Sequence, residues 1–176
     1  MIKPTNIICN ASPLIALGKL NRLDILATLY PTVLITTQVY HEVIIQGIKQ
    51  DATDAMTVRL FFESCQWPVL EISEVVLSSY HPSMFLDPGE ISVLALARTL
   101  PDPLVLIDDE IARSEARHLK IQVRGTLGLL VQAYRERRIP YNQVELLIQT
   151  IAVRPDIWVG AKLCDEVLAS LRKMEI

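Results

Sequence analysis

The sequence predicts an α/β fold in which a central parallel sheet is covered by helices on both faces. Short apolar runs typical of buried strands alternate with longer segments of helical character, and this alternation favours a parallel sheet. A strong helix start supports it, because Asp87 as N-cap, Pro88 and then Glu90 precede an apolar run. Hydrophobic residues make up 51% of the chain and the mean hydropathy is +0.31, which indicates a well-filled core.

The first half of the chain repeats a strand-then-helix plan. Asn6–Cys9 is predicted to be a short buried strand. Ser12 then supplies an N-cap and Pro13 the first position of a helix that ends near Leu20. The next predicted elements are a strand at Val33–Thr36, a helix at about Thr37–Gly47, a helix at Asp54–Cys65, a strand at Val69–Ile72 and a loop from Ser78 to Leu86.

The second half begins with the clearest helix, Leu86–Leu100, which ends before Pro101 and Pro103. The elements predicted after it are a strand at Leu104–Ile107, a helix from Asp108 or Asp109 to about Leu119, a strand at Ile121–Val123, a helix at Thr126–Arg137 and a helical tail at Tyr141–Ile176 that is interrupted near Arg154 and Pro155. The length of 176 residues fits one domain, so we expect residues 1–176 to form a single unit.

Charge and cysteine usage exclude several classes of protein. The formal net charge of −3 gives no global positive field, so any contact with nucleic acid must use a local basic patch. Cys9, Cys65 and Cys164 are odd in number and far apart, which indicates neither a disulfide framework nor a zinc site and fits a reducing cytoplasm. No apolar run nears about 18 residues, so we expect no membrane anchor.

Polar residues follow the predicted strands at the edge where parallel sheets bind ligands. Asn10, Asp108 and Asp109 come directly after strands, whereas Glu42 and Glu90 lie at helix starts. Carboxylates that converge there repel one another unless a hard cation such as Mg²⁺ or Mn²⁺ holds them. Each residue also has a structural interpretation: Glu90 completes a capping box, Asp108 and Asp109 cap a helix, Glu42 is solvated and Asn10 forms a turn.

Several sequence blocks, in register, resemble the PIN family and more narrowly its prokaryotic VapC-like branch of predicted nucleic-acid-binding proteins. The resemblance runs from about residue 6 to 140, and a stretch around Ile157 is also similar. The blocks are NASPLIAL from Asn10, VYHEV from Val39, LDPGE from Leu86 with ALA from Ala95, LIDD from Leu106, ARSEA from Ala112 and VRGTLGLL from Val123.

The resemblance implies a three-layer α/β/α sandwich, a metal site and a reaction. In that family four acidic residues coordinate one or two divalent cations, Mg²⁺ or Mn²⁺, and a metal-bound water cuts single-stranded RNA. The resemblance places Glu42, Glu90 and Asp109 on three of these four acidic positions, with Asp108 as a neighbouring candidate. It also implies a cytoplasmic toxin that forms homodimers and is silenced by a small antitoxin protein.

The chain departs from the family at Asn10, where an Asp usually stands. An amide oxygen can ligate a hard cation but brings no negative charge, so metal affinity and water activation should both fall. The main interpretation is an attenuated ribonuclease. A second is a non-catalytic module that binds RNA or an antitoxin. A stable apolar homodimer with a vestigial crevice is a third.

Two further residues match family positions linked to substrate binding. Ser12 matches a small hydroxyl residue after the first acid, and Arg113 matches an arginine one helical turn after the last. Arg113 is expected either to pair with Asp109 at i,i+4 or to meet a phosphate. A wider basic set, either an RNA-binding patch or a solvated helix face, comprises Arg113, Arg117, His118, Lys120, Arg124, Arg135, Arg137 and Arg138.

Overall fold

Five short parallel strands form the centre of the protein in a computed structural model that describes residues 4–173. The strands are β1 (Asn6–Cys9), β2 (Ile35–Thr36), β3 (Val69–Leu70), β4 (Pro103–Leu106) and β5 (Gln122–Arg124). Strand β4 pairs with β1 and β5, and β2 pairs with β3, in each case parallel. Leu34 joins the two groups, because its N–H donates to Ile7 at 2.8 Å and its carbonyl accepts from Cys9 at 2.9 Å. The spatial order is therefore β3-β2-β1-β4-β5.

Helices cover both faces of this sheet, so the predicted three-layer α/β/α arrangement is confirmed. Strand residues such as Ile8, Val105 and Leu106 are 0% exposed, as expected for strands between two helical layers. The helices are α1 (Ala11–Lys19), α2 (Asp24–Leu29), α3 (Thr37–Tyr40), α4 (Gly47–Lys49), α5 (Thr53–Cys65), α6 (Glu74–Ser78), α7 (Pro88–Ala97), α8 (Glu110–His118), α9 (Thr126–Arg135), α10 (Tyr141–Val153) and α11 (Ala161–Arg172).

A π-helical segment, His41–Gln46, joins α3 to α4, so that residues 37–49 form one helix with an irregular middle. The sequence predicted this helix but not its π segment. The predicted capping box of α7 is confirmed, since the Asp87 side chain accepts from the Glu90 N–H and the Glu90 side chain accepts from the Asp87 N–H.

The predicted start of α1 was wrong. The helix begins at Ala11, with Asn10 rather than Ser12 in the N-cap position. The Asn10 N–H donates to the Leu106 carbonyl at 2.9 Å, so the sheet extends to the residue before the helix. Pro13 consequently lies in the first turn, where its missing N–H removes no helical hydrogen bond.

Two short helices were not predicted. Helix α2 buries Ile25 and Leu26 and packs against α9. Helix α6 is capped by Ser73, whose hydroxyl accepts from the Val76 N–H at 3.4 Å. The residues that follow α6, 79 to 86, form the predicted loop.

The tail forms two helices, α10 and α11, which pack against each other. The predicted interruption at Arg154 and Pro155 is confirmed and extends to Gly160. The last residues of the predicted tail, 174–176, lie outside the described residues. Within residues 4–173 no helix has the length and apolarity needed to cross a bilayer, and Cys9, Cys65 and Cys164 are free thiols.

Candidate metal and nucleic-acid site

Three oxygen atoms from three parts of the chain converge on Gly89. A Cβ atom added at Gly89 would lie 2.8 Å from Glu42 Oε2, 3.2 Å from Asp87 Oδ1 and 3.5 Å from Asn10 Oδ1. We call Asn10, Glu42 and Asp87 the Gly89 cluster. Gly89 is the second residue of α7, and its missing side chain leaves the space that these oxygens share.

Asn10 contributes an unusual atom to this cluster. Its side chain is 4% exposed, and Oδ1 is buried without a hydrogen-bond partner among the described residues. A buried amide oxygen without a donor costs free energy unless a ligand, an ion or water satisfies it. Asn10 Oδ1 is therefore an unsatisfied hydrogen-bond acceptor at the carboxyl end of β1. The sequence predicted a metal ligand at this position.

Glu42 enters the same space from the π-helical segment. Such segments occur often at functional sites, because they re-aim side chains relative to an α-helix. No hydrogen bond or ion pair reaches the Glu42 carboxylate from residues 4–173. Burial raises the pKa of Glu42, and the charge of Asp87 raises it further.

A buried hydroxyl pair fixes the approach of α7 to this segment. The Thr36 and Ser92 hydroxyl oxygens are 2.7 Å apart, and the Ser92 hydroxyl donates to the Gly89 carbonyl at 2.7 Å. Thr36 also caps α3 by accepting from the Val39 N–H at 3.2 Å. The positions of Glu42 and Gly89 are thus linked through side chains that are themselves fully buried.

Glu90 follows Gly89 directly and is a buried carboxylate with a raised pKa. It is 7% exposed, and its Oε2 accepts from the Asp87 N–H at 3.0 Å. Burial raises the pKa of Glu90 to about 7; the hydrogen bond from Asp87 opposes this shift, and the charges of Asp87, Asp109 and Glu42 add to it. The pKa of Glu90 therefore responds to three other carboxylates, of which Glu42 and Asp109 were predicted to face the same crevice and Asp87 was not.

The two adjacent aspartates after β4 have different environments. Asp109 is exposed and caps α8, its Oδ1 accepting from the Ala112 N–H at 2.8 Å. Asp108 is turned to the other side, where Oδ1 accepts from the Thr126 N–H at 2.7 Å and Oδ2 from the Thr126 hydroxyl at 2.6 Å. Burial raises the pKa of Asp108, whereas these bonds and the Arg113 charge act in the opposite direction.

Gly125 permits this second arrangement. A Cβ there would lie 2.7 Å from Asp108 Oδ1 and 3.4 Å from a terminal guanidinium nitrogen of Arg113. We call Asp108, Arg113 and Thr126 the Gly125 cluster. Its two carboxylate oxygens are both hydrogen-bonded, so it holds the start of α9 against the end of β4.

Ser12 and Arg113 serve this second cluster in the structure. The Ser12 hydroxyl accepts from the Asp108 N–H at 3.2 Å. The charge of Arg113 acts to lower the pKa of Asp108, against the effect of burial, and the Arg113 Nε lies 3.9 Å from Glu110 Oε2. Within residues 4–173 Arg113 forms no ion pair with Asp109. The Nε atom of Arg113 is buried without a hydrogen-bond partner in the same range.

Part of the expected basic patch is paired with protein groups. Arg117 donates to Glu110 at 2.8 Å, and Arg124 donates to the Tyr30 hydroxyl at 2.8 Å and to Gln132. His118, Lys120, Arg137 and Arg138 are exposed. The wider patch is therefore smaller than the count of basic residues indicated.

Asp87 is the residue of the site that sequence reasoning assigned only to capping. The capping box accounted for it fully, and the spacing of residues along the chain gave no distance to Glu42 or Asn10. A signal was present in the adjacent Gly89, since a glycine directly after an N-cap and Pro88 indicates close approach of another group.

A cleft of about 670 Å³ opens beside the Gly89 cluster. It is lined by Thr37, Gln38, His41, Glu42, Gln46, Asp87, Pro88 and Gly89. The donor set of amide and carboxylate oxygens, together with the unpartnered Asn10 Oδ1, fits a hard divalent cation. Within the described residues no three His, Cys, Asp or Glu side chains are grouped closely enough to hold a metal by themselves, so an amide oxygen such as Asn10 Oδ1 would have to complete the ligand set.

Comparison with known proteins gives one family. Searches of curated proteins and of solved structures return no match. The sequence model of the PIN-domain family matches residues 6–173. PIN domains in general depend on divalent metal and bind nucleic acid, and the family is consistent with nuclease activity. The earlier resemblance to the PIN family is thus confirmed over almost the whole chain, and the protein belongs to the PIN-domain family.

Proposed function

We propose that this chain is a divalent-metal-dependent endoribonuclease of the toxin type in a VapC-like toxin–antitoxin system, acting in the cytoplasm and attenuated by Asn10. Asn10, Glu42, Glu90 and Asp109 would hold Mg²⁺ or Mn²⁺. The observation that carries the proposal is the buried, unpartnered Asn10 Oδ1 beside Glu42 Oε2 at Gly89. The proposal treats residues 1–176 as one domain.

The side chains have distinct tasks in this proposal. A bound divalent cation supplies charge stabilisation for a phosphodiester and activates water. Glu42 and Asn10 orient toward the shared space at Gly89, and buried Ser92 holds the Gly89 carbonyl in place. Glu90 carries a proton for part of the time near pH 7, and the bound cation favours its release.

The same arrangement gives a physical reason for attenuation. Asn10 contributes an amide oxygen but no negative charge to the set formed with Glu42, Glu90 and Asp109. Less negative charge therefore faces the cation than four free carboxylates would supply, which lowers metal affinity.

RNA would enter through the open cleft, whose lining includes Gln38, His41 and Gln46. Backbone phosphates need cationic partners, and Arg113, with a buried Nε that lacks a hydrogen-bond partner in the described residues, is our candidate together with Ser12. Asp108 would remain a positioning residue because both of its oxygens accept hydrogen bonds from Thr126.

Exposed apolar side chains support the proposed protein partners. Phe85, just before Asp87, is 93% exposed, and Ile111, just after Asp109, is 50% exposed. A small antitoxin protein that covers the crevice would bury both. Trp158, 92% exposed in the tail, offers a separate apolar contact for a homodimer.

The test compares cleavage of fluorescent single-stranded RNA in Mn²⁺ by the native protein and by Asn10→Asp. The variant restores the missing charge and should cut at least about tenfold faster. EDTA and Glu42→Gln should abolish cutting in both backgrounds, and Asp165→Asn, at an exposed site on α11, should change nothing.

The alternative function is a non-catalytic PIN-like module that binds RNA or an antitoxin. The neutral Asn10, which lowers the negative charge available to a cation, favours it. If native protein and Asn10→Asp both stay folded and neither cuts RNA, the ribonuclease proposal fails and the binding module becomes the better account.

A further inference from the structure

The charge that Asn10 lacks has a candidate source in Asp87, another member of the Gly89 cluster. Asp87 Oδ1 and Asn10 Oδ1 both lie within 3.5 Å of the position that a Gly89 Cβ would occupy. They reach it from different elements, Asn10 from the end of β1 and Asp87 from the start of α7. Glu42 Oε2 lies 2.8 Å from the same point.

We propose that Asp87 is a metal-facing carboxylate of this site and supplies there the negative charge that Asn10 does not. The proposal rests on the metal-dependent function proposed above. It adds a residue to the site that matches none of the family's four acidic positions in this chain.

Capping leaves Asp87 free to take this role. Its Oδ1 accepts one hydrogen bond, from the Glu90 N–H at 2.7 Å, and a carboxylate oxygen has capacity for a second partner. The side chain is exposed, and no hydrogen bond reaches Oδ2 from residues 4–173. Asp87 can therefore cap α7 and face a cation together.

Capping also does not require a charged residue at this position. Asn and Ser cap helices about as well as Asp does. An Asp beside Glu42 and Glu90 adds repulsion between carboxylates, and Asp87 indeed acts on both of them. A neutral cap would remove that repulsion, so the charge of Asp87 is favourable where a cation lies close to Asp87 and Glu42.

The burial of Asn10 supplies the independent observation. A carboxylate at the start of a helix can serve its own backbone alone, whereas the amide oxygen of Asn10 is buried, lacks a donor within the described residues and faces the same space. A cation there would satisfy Asn10 Oδ1 and offset the charges of Glu42 and Asp87 at once.

The experiment measures Mn²⁺ binding by titration calorimetry and by loss of the free Mn²⁺ electron paramagnetic resonance signal, without RNA. Asp87→Asn keeps the cap and the shape but removes the charge, so we expect about 10- to 100-fold weaker binding and a melting temperature of the metal-free protein no lower than that of the native chain. Asp165→Asn is the matched control, because it removes an exposed Asp charge from α11. Asp87→Ser provides a second cap-keeping variant if Asp87→Asn does not fold.

The double variant Asn10→Asp, Asp87→Asn decides where the charge acts. Restoration of native Mn²⁺ affinity supports the proposal, because the charge has only moved across the cluster. Native affinity in Asp87→Asn overturns the proposal while leaving the metal site intact. If the native protein binds no Mn²⁺, the proposed function fails and this inference fails with it.

Discussion

The Gly89 and Gly125 clusters are built alike and differ in one respect. At each, a glycine at the start of a helix leaves room for a carboxylate oxygen, 2.8 Å from the missing Cβ at Gly89 and 2.7 Å at Gly125. The Gly125 cluster satisfies both oxygens of Asp108 with protein donors. The Gly89 cluster leaves Asn10 Oδ1 and the Glu42 carboxylate without donors among the described residues. Hydrogen-bond satisfaction, rather than acidity, thus separates a structural carboxylate from a candidate ligand.

The largest effect should come from removing the two carboxylates in turn. Asp108→Ala leaves the Thr126 N–H and hydroxyl without their acceptor and removes the charge that Arg113 faces, and should lower the free energy of unfolding by about 3 kcal/mol. Glu42→Ala removes a carboxylate that repels Asp87, so stability should stay within about 0.5 kcal/mol of native. Urea unfolding measures both. Equal losses in the two variants would show that the two clusters do not differ.

Substitution of the two glycines sharpens the comparison. Gly125→Ala places a methyl group against Asp108 and should cost about 2 kcal/mol of stability, with Mn²⁺ affinity unchanged. Gly89→Ala places it against Glu42 Oε2 and should weaken Mn²⁺ binding about tenfold, because the oxygens must move apart. Its stability should hold, since Ala suits the first turn of a helix. The opposite result, in which Gly125→Ala weakens Mn²⁺ binding and Gly89→Ala lowers stability, would contradict the distinction between the two clusters.

The pH dependence of stability gives the smallest effect. The pKa of Glu90 is raised from 4.5 to about 7 in the folded protein, so the folded state binds more protons than the unfolded state between those values. Metal-free protein should therefore lose stability as pH rises from 4.5 to 7, by about 1 kcal/mol more than Glu90→Gln does. Chemical denaturation at several pH values measures this difference, and parallel curves for the two proteins would refute it. Mn²⁺ should reduce the loss.

The sequence was sufficient for the sheet, because continuous apolar runs such as Asn6–Cys9 have few alternatives when helices alternate with them. The capping box of α7 was equally accessible, since Asp87, Pro88 and Glu90 interact within one turn. Helix α2 has no such local signal, and its stability comes from contact with α9.

The site was predictable only by residue type. Adjacent Asp108 and Asp109 look alike in a sequence, yet one binds Thr126 and the other begins α8. Arg113 approaches Asp108 beside Gly125, where a side chain would leave no room for both groups. Gly125 is separated from the two aspartates by α8 and β5. Contacts between distant segments set these roles, and local spacing does not contain them.

The π-helical segment has a consequence for how the chain tolerates insertion and deletion. An α-helix turns about 100° per residue, whereas a π-helix has more residues in each turn. The side chains after His41–Gln46 therefore point in different directions from those they would take in a continuous α-helix. Before it, Val39 faces the core; after it, Gly47 faces α5, where an added Cβ would lie 2.7 Å from that of Ala55. Removing one residue here would restore a regular helix. It would turn either Glu42 away from Gly89 or Gly47 away from α5. The helix length between these two residues is therefore as constrained as their identities.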